Sequence, residues 1–228
     1  MKIRKIAYNI SYYHILTFSQ EYRFALAPFF KLPNLQYQFE NRDTFEEVLR
    51  LIFMNDHFAI SCNKDGMAMV YEGDESALTS SSAPIDTIFD VYNAITGLKG
   101  FVNTTAHQIQ ISSTTKHDKP PMELKNINDS SLLKTSPFPK LKEFAVVYDT
   151  KEGNDMDIKA TIGSFDNTDI VRFDLAPFKT AHNNDLSESQ GYMMEVTVNQ
   201  LSDNLNTKKF KQLLGKAVEV SKNLESCL

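Results

Sequence analysis

The chain has 228 residues, 42% of them hydrophobic, with a formal net charge of −5 and a sequence pI near 5.6. That is enough apolar material for one large core or two small ones, and the net acidity argues against unspecific attraction to nucleic acid or anionic lipid. No run approaches the roughly 18 apolar residues of a membrane span, no signal-type core follows Met1-Lys2-Ile3-Arg4-Lys5, and two cysteines far apart, Cys62 and Cys227, suit a reducing compartment better than a disulfide framework. The expectation is a cytoplasmic protein with no membrane association.

Lys2 to Leu16 reads as a strand in the middle of a sheet, because Ile3, Ile6, Tyr8, Ile10 and Tyr12 nearly alternate and are β-branched or aromatic. Between Ser19 and Phe30 the spacing of Tyr22, Leu26 and Phe29 predicts a short helix, which Pro28 and Pro33 end in a turn. Thr44 with Glu47 resembles a capping box, and Phe45, Val48, Leu49, Ile52 and Phe53 give one apolar stripe, so a helix is predicted here. It leads into the clearest local signal. Phe58, Ile60 and Cys62 alternate before Asn63-Lys64-Asp65-Gly66, and Met67, Met69 and Tyr71 alternate after it. This is a β-hairpin, with Gly66 expected at positive φ in a type I turn closed by a G1 bulge.

Pro84 suits a first helical turn, and Ile85, Ile88, Phe89, Tyr92 and Ile95 then form a stripe ending near Gly97. Alternation returns from Val102 to Ile111 and stops in a stretch rich in Pro, Lys and Ser. Phe144 to Tyr148, Ile158 to Phe165, Ile170 to Leu175 and Tyr192 to Val198 read as strands between Asp/Asn/Gly turns. Thr207 to Leu224 closes the chain as an amphipathic helix, with Phe210, Leu213, Leu214 and Val218 on one face and lysines mostly on the other. The fold class is therefore α+β, mainly antiparallel sheet packed against a few amphipathic helices with a long C-terminal one. The division is an N-terminal half (1–112), a connector (113–139) and a C-terminal half (140–228), and the similar content of the two halves admits two similar α+β units.

Three groups of residues bear on chemistry. Asp149, Glu152, Asp155 and Asp157, followed by Asp166, Asp169 and Asp174, form an acidic stretch in which Asp149, Asp155 and Asp157 are candidate ligands of a divalent metal. As an EF-hand it fails, since Gly153 is fifth where glycine belongs sixth and no glutamate stands twelfth. His14, His57, His107, His117 and His182 include no pair at the spacing that puts two imidazoles on one metal. Lys208, Lys209, Lys211, Lys216 and Lys222 on the last helix read as a solvated face, so nucleic acid is not an expected partner. There is no GxGxxG or GxxxxGK[ST] loop, and no cofactor is expected.

The leading expectation is a non-catalytic protein-interaction or regulatory module acting through a surface, its partner another protein or a second copy of itself. A divalent-metal-dependent hydrolase or nuclease using the Asp149 to Asp174 carboxylates is the alternative, and a small-ligand binder with an aromatic cavity is the third reading.

Overall fold

The computed structural model describes residues 1–33, 35–73, 75–79, 83–116, 145–153, 155–165, 191–202 and 205–227. Among them, nine strands make one antiparallel sheet: β1 (Lys2–Tyr12), β2 (Leu35–Glu40), β3 (Val48–Phe53), β4 (Phe58–Cys62), β5 (Gly66–Glu72), β6 (Thr104–Lys116), β7 (Ala145–Glu152), β8 (Met156–Phe165) and β9 (Gly191–Leu201). Their order is β2-β3-β4-β5-β1-β6-β9-β8-β7. The helices are α1 (Phe18–Ala25), the single turn α2 (Ser76–Thr79), α3 (Ala83–Thr96) and α4 (Thr207–Glu225). Sheet outweighs helix, so the architecture is mainly β with helices packed on it, a correction to the more even α+β balance expected.

The correction has local causes. Residues 44–53, expected as a helix, turn into β3, because Val48, Leu49, Leu51, Ile52 and Phe53 are almost continuously apolar and satisfy either period. Pairing on both sides decides it: Leu51 stands opposite Tyr37 of β2 and Ile60 of β4. Glu47 makes no capping box, being taken by side chains of α1. β2 itself was not expected, although Leu35-Gln-Tyr-Gln-Phe-Glu40 alternates perfectly.

The hairpin β4–β5 forms as its sequence predicts, with Cys62 opposite Met67, but its turn is built differently. Gly66 is not among the residues at positive φ. The Asn63 side chain shapes the turn instead, its Oδ1 accepting from the backbone N–H of Asp65 (2.8 Å) and Gly66 (3.0 Å). Glycine is needed at 66 because β1 passes so close that a Cβ there would lie 2.7 Å from the Ile10 carbonyl oxygen.

β1 lies centrally, as its pattern implied, between β5 and β6. Its inward residues Ile6, Tyr8 and Ile10 are buried. α3 and α4 meet over them: the Tyr8 ring packs edge-on against Phe210 of α4 (centroids 4.8 Å apart) and lies 6.5 Å from Phe89 of α3. α4 covers β6 and β9, and its N-terminus is capped by Asn206, whose Oδ1 accepts from the Lys209 N–H at 3.0 Å. The opposite face of the sheet is polar and carries Ser61, Ala68, Asn9, Gln108 and Asn199 in one cross-strand row.

The predicted strand Ile170–Leu175 lies outside the described residues, as does the connector from 117 to 139; residues 113–116 are the end of β6. No helix among the described residues is long and apolar enough to cross a membrane.

Gly66→Ala is expected to destabilise the fold by about 1–3 kcal/mol through the clash with the Ile10 carbonyl, measured as a lowered urea midpoint with an unchanged slope.

Candidate functional site

Turns at one end of the sheet draw together the polar networks and the exposed apolar side chains. These turns are 13–17 after β1, 41–47 between β2 and β3, 63–65 in the hairpin and 97–103 before β6, with Gly153 and Asp155 between β7 and β8. Backbone bonds fasten three of them together: Tyr13 N–H donates to Asn103 O (3.0 Å), Ile15 N–H to Lys64 O (2.9 Å) and Tyr12 N–H to Asp65 O (3.1 Å). The Tyr12 hydroxyl adds bonds to the carbonyls of Asn63 (2.6 Å) and Gly66 (2.9 Å). The backbone here is held by many bonds, which is the condition for presenting side chains in a fixed arrangement.

Four large apolar side chains emerge from this scaffold: Leu16 (73% exposed), Val102 (71%), Tyr13 (57%) and Phe45 (50%). His14 stacks on Phe45 with centroids 4.9 Å apart and bonds Asp65 through Nδ1 at 2.6 Å. Lys64 Nζ lies 4.5 Å from the centre of the Phe45 ring and pairs with Glu46. The Lys64 ammonium is thus matched by neighbouring carboxylates.

Behind Phe45, the turn 41–47 is anchored by a buried carboxylate. Glu47 Oε1 accepts from the Tyr22 hydroxyl and from Arg23 Nη2 (2.5 Å), both on α1, while Oε2 accepts from the Asp43 N–H (2.9 Å). Arg23 also reaches Asp43 Oδ1 at 2.8 Å. Burial pushes the Glu47 carboxyl upward, but the bonds from Arg23, Tyr22 and the Asp43 N–H, with the guanidinium charge, outweigh it and hold the group below its usual range.

A second network runs from the core to the same end. Tyr8 hydroxyl meets His107 Nδ1 at 3.1 Å, His107 Nε2 meets Gln200 Oε1 at 3.2 Å, and Gln200 Nε2 donates to Asp155 Oδ2 at 3.0 Å. The roles follow from the ends. Asp155 only accepts, so Gln200 turns its amide nitrogen there and its oxygen to His107; Nε2 then carries the imidazole proton, and Nδ1 accepts from Tyr8. Burial holds His107 below its usual range, with the Gln200 bond opposing that and the charge of Lys209 adding to it. Burial likewise raises the Tyr8 phenol, so both groups stay neutral.

The sequence-derived acids fall into separate places. Asp149 faces Lys159 across the β7–β8 ladder, Asp157 pairs with Lys151 at 3.4 Å, Glu152 pairs with Lys216 of α4 at 2.8 Å, and Asp155 ends the relay. Asp166, Asp169 and Asp174, and also His117 and His182, lie outside the described residues. Among the described residues no group of three or more His, Cys, Asp or Glu side chains is placed to hold a metal ion. Cys62 is buried and its thiol is pushed up to about 12 by burial, which leaves it unactivated. A depression of about 230 Å³ beside the hairpin is lined by Asn9, Ser11, Ser61 and Asp65, and one of about 360 Å³ by Lys2, Glu75, Lys222 and Glu225; no aromatic ring lines either.

No protein-family model matches the chain, and neither a curated protein nor a solved structure is similar to it.

Sequence reasoning missed Tyr13, Leu16, Phe45 and Val102 as a group. They lie in three segments with no common period, which only backbone bonds and side-chain contacts across the sheet bring together. The Glu47 anchor was equally hidden, since its partners are 24 and 25 positions away.

Glu47→Ala is expected to cost about 2–3 kcal/mol at pH 7, because it leaves the Tyr22 hydroxyl and the Arg23 guanidinium short of an acceptor. Since the folded carboxyl titrates below its unfolded value of about 4.3, that contribution is complete above pH ~5 and shrinks as pH falls further; urea titrations at pH 7 and pH 4 measure the difference.

His107 works in the same direction in a higher pH window. Its folded value lies below the unfolded ~6.5, so the unfolded chain takes up the proton first and stability declines as pH drops from about 7 toward 5. Unfolding curves of the wild type and His107→Gln across that window are expected to show a shallower decline in the variant.

Proposed function

We propose that this chain is a non-catalytic protein-interaction module that docks a partner polypeptide on the end of the sheet formed by turns 13–17, 41–47, 63–65 and 97–103. One observation carries the reading: Tyr13, Leu16, Phe45 and Val102 are each at least half exposed, the first two and Val102 on turns that the backbone bonds to Asn103, Lys64 and Asp65 tie together, and Phe45 on a turn held to them by its ring contacts with His14 and Lys64 and by the Lys64–Glu46 pair. Single exposed apolar residues are ordinary on any surface; several held side by side on a fixed scaffold are the composition of an interface centre. Aromatic anchors flanked by matched charges supply burial without leaving an unpaired ion when water is excluded. The rim pair Lys64–Glu46 has that character.

Chain order supports a further reading of the architecture. Residues 1–96 run from β1 at the centre out to β2, back through β3 and β4 to β5 beside β1, and then into α3. The described part of residues 104–225 runs from β6 at the centre out to β7, back through β8 to β9 beside β6, and then into α4. We read these as two similar units joined through β1 and β6, of which the first carries the docking turns.

A library of random peptides displayed on phage and selected on the full chain tests the proposal. The expected outcome is enrichment of sequences with an apolar or aromatic anchor, whose synthetic peptides bind Leu16→Asp/Val102→Asp about tenfold or more weakly than the wild type. Both positions are exposed, so the variant is expected to keep the wild-type melting temperature. Equal binding to the two proteins would remove this surface from consideration.

A further inference from the structure

The outer edge of β2 points to a second partner, distinct from the one that docks on the turns. We infer that two copies of this chain pair through their β2 strands, antiparallel about a two-fold axis at Tyr37, to continue the sheet across both molecules. Among the described residues, no strand pairs with the outer side of β2 or of β7, and these are the two open edges of the described sheet. Open edges are usually protected by charge, proline or a bulge. β7 follows that practice, with Asp149, Lys151 and Glu152 along it. β2 does so only at its last residue, Glu40, which pairs with Arg50 of β3 at 3.1 Å; Leu35-Gln36-Tyr37-Gln38-Phe39 has no charged side chain, and the register with β3 is free of bulges.

The occupant follows from the pattern. A strand running antiparallel to β2 must place apolar groups against Leu35, Tyr37 and Phe39 on one face and uncharged polar groups against Gln36 and Gln38 on the other. β2 itself meets that description. Centred on Tyr37, a second copy puts Leu35 opposite Phe39, Tyr37 opposite Tyr37 and Gln36 opposite Gln38. Existing rows of the sheet then run on without a break, since Leu35, Tyr37 and Phe39 already stand beside Phe53, Leu51 and Leu49. Tyr37 is 50% exposed with only Phe30 against its ring side, at 4.9 Å, and Phe39; a facing tyrosine would cover it.

The alternative pairing of β2 with β7 of another copy is disfavoured by direction. With an odd number of strands, all antiparallel, β2 and β7 point the same way. Copies arranged head to tail with strands aligned would therefore meet in a parallel ladder, which is weaker per residue, and would set the uncharged stretch Leu35–Phe39 beside the charged strand β7. A two-fold contact also closes after two molecules, whereas a head-to-tail contact continues.

The test is a charge swap on exposed positions of the full chain, read by sedimentation equilibrium from about 1 to 200 μM. The wild type is expected to approach a dimer mass and go no further. Gln36→Lys/Gln38→Lys places like charges opposite each other twice across the axis and is expected to weaken dimerisation; Gln36→Glu/Gln38→Lys places opposite charges there and is expected to bind about tenfold or more tightly than the double lysine variant. Both variants share the lysine at 38, so any effect on neighbouring Arg50 cancels between them, and melting temperatures report whether each is folded. A wild type that stays monomeric throughout, one that grows beyond a dimer, or two variants of equal affinity would each overturn the proposal.

Discussion

Burial of the Tyr8 hydroxyl at the centre of the sheet is the constraint around which the described structure is organised. A phenol enclosed by Phe89 and Phe210 has lost water as a partner and must find a protein acceptor. His107 supplies it from the adjoining strand β6, and that choice propagates. An imidazole that accepts on one nitrogen must donate from the other, so Gln200 of β9 is required, and Gln200 in turn delivers its amide protons to Asp155 in the β7–β8 turn. One buried oxygen thereby fixes the relative positions of three neighbouring strands and one turn.

The same place is where the helices converge. α3 follows β5, α4 follows β9, and their phenylalanines meet over the β1–β6 pair with Tyr8 below them. Antiparallel pairing of β1 with β6 is long and nearly regular, with irregularities only near Ile3 and Tyr12. Backbone bonds join the strands, and the aromatic cluster seals the join on one face. The other face needs no cover, because Asn9, Gln108 and Asn199 present amides where water can reach them.

Charge is used differently in the two parts of the molecule. In the second, the acids alternate with lysines along β7 and β8, an arrangement that keeps an exposed edge soluble and unpaired. In the first, Glu47 is taken out of water and held by Arg23 and Tyr22, which costs desolvation and repays it by fixing the loop that carries Phe45. The edge whose first five residues carry no charge and the loop with a buried one are both in the first part, and both proposed contacts are there.

Much of the secondary structure was legible in the sequence. β1, the hairpin Phe58 to Glu72, α3 and α4 follow directly from alternation or helical stripes, since each has one apolar face and a distinct period. β3 was misread because a nearly continuous apolar run carries no period, and β2 was passed over although its alternation is complete. The turn at Asn63 was read at the right place with the wrong mechanism: a side-chain oxygen does there what a left-handed glycine does elsewhere, and Gly66 is required by the neighbouring strand.

What the sequence by itself determined is the set of elements with a face to bury, because an apolar period is a local property of the chain. What only the tertiary structure decided is which residues meet. Glu47 and Tyr22, Tyr8 and His107, Tyr13 and Asn103 belong to segments separated by intervening elements, and nothing in the spacing within a segment encodes its neighbour across the sheet. Strand order and register bring them together, and those are fixed by the burial of Tyr8 and by the pairing of β1 with β6.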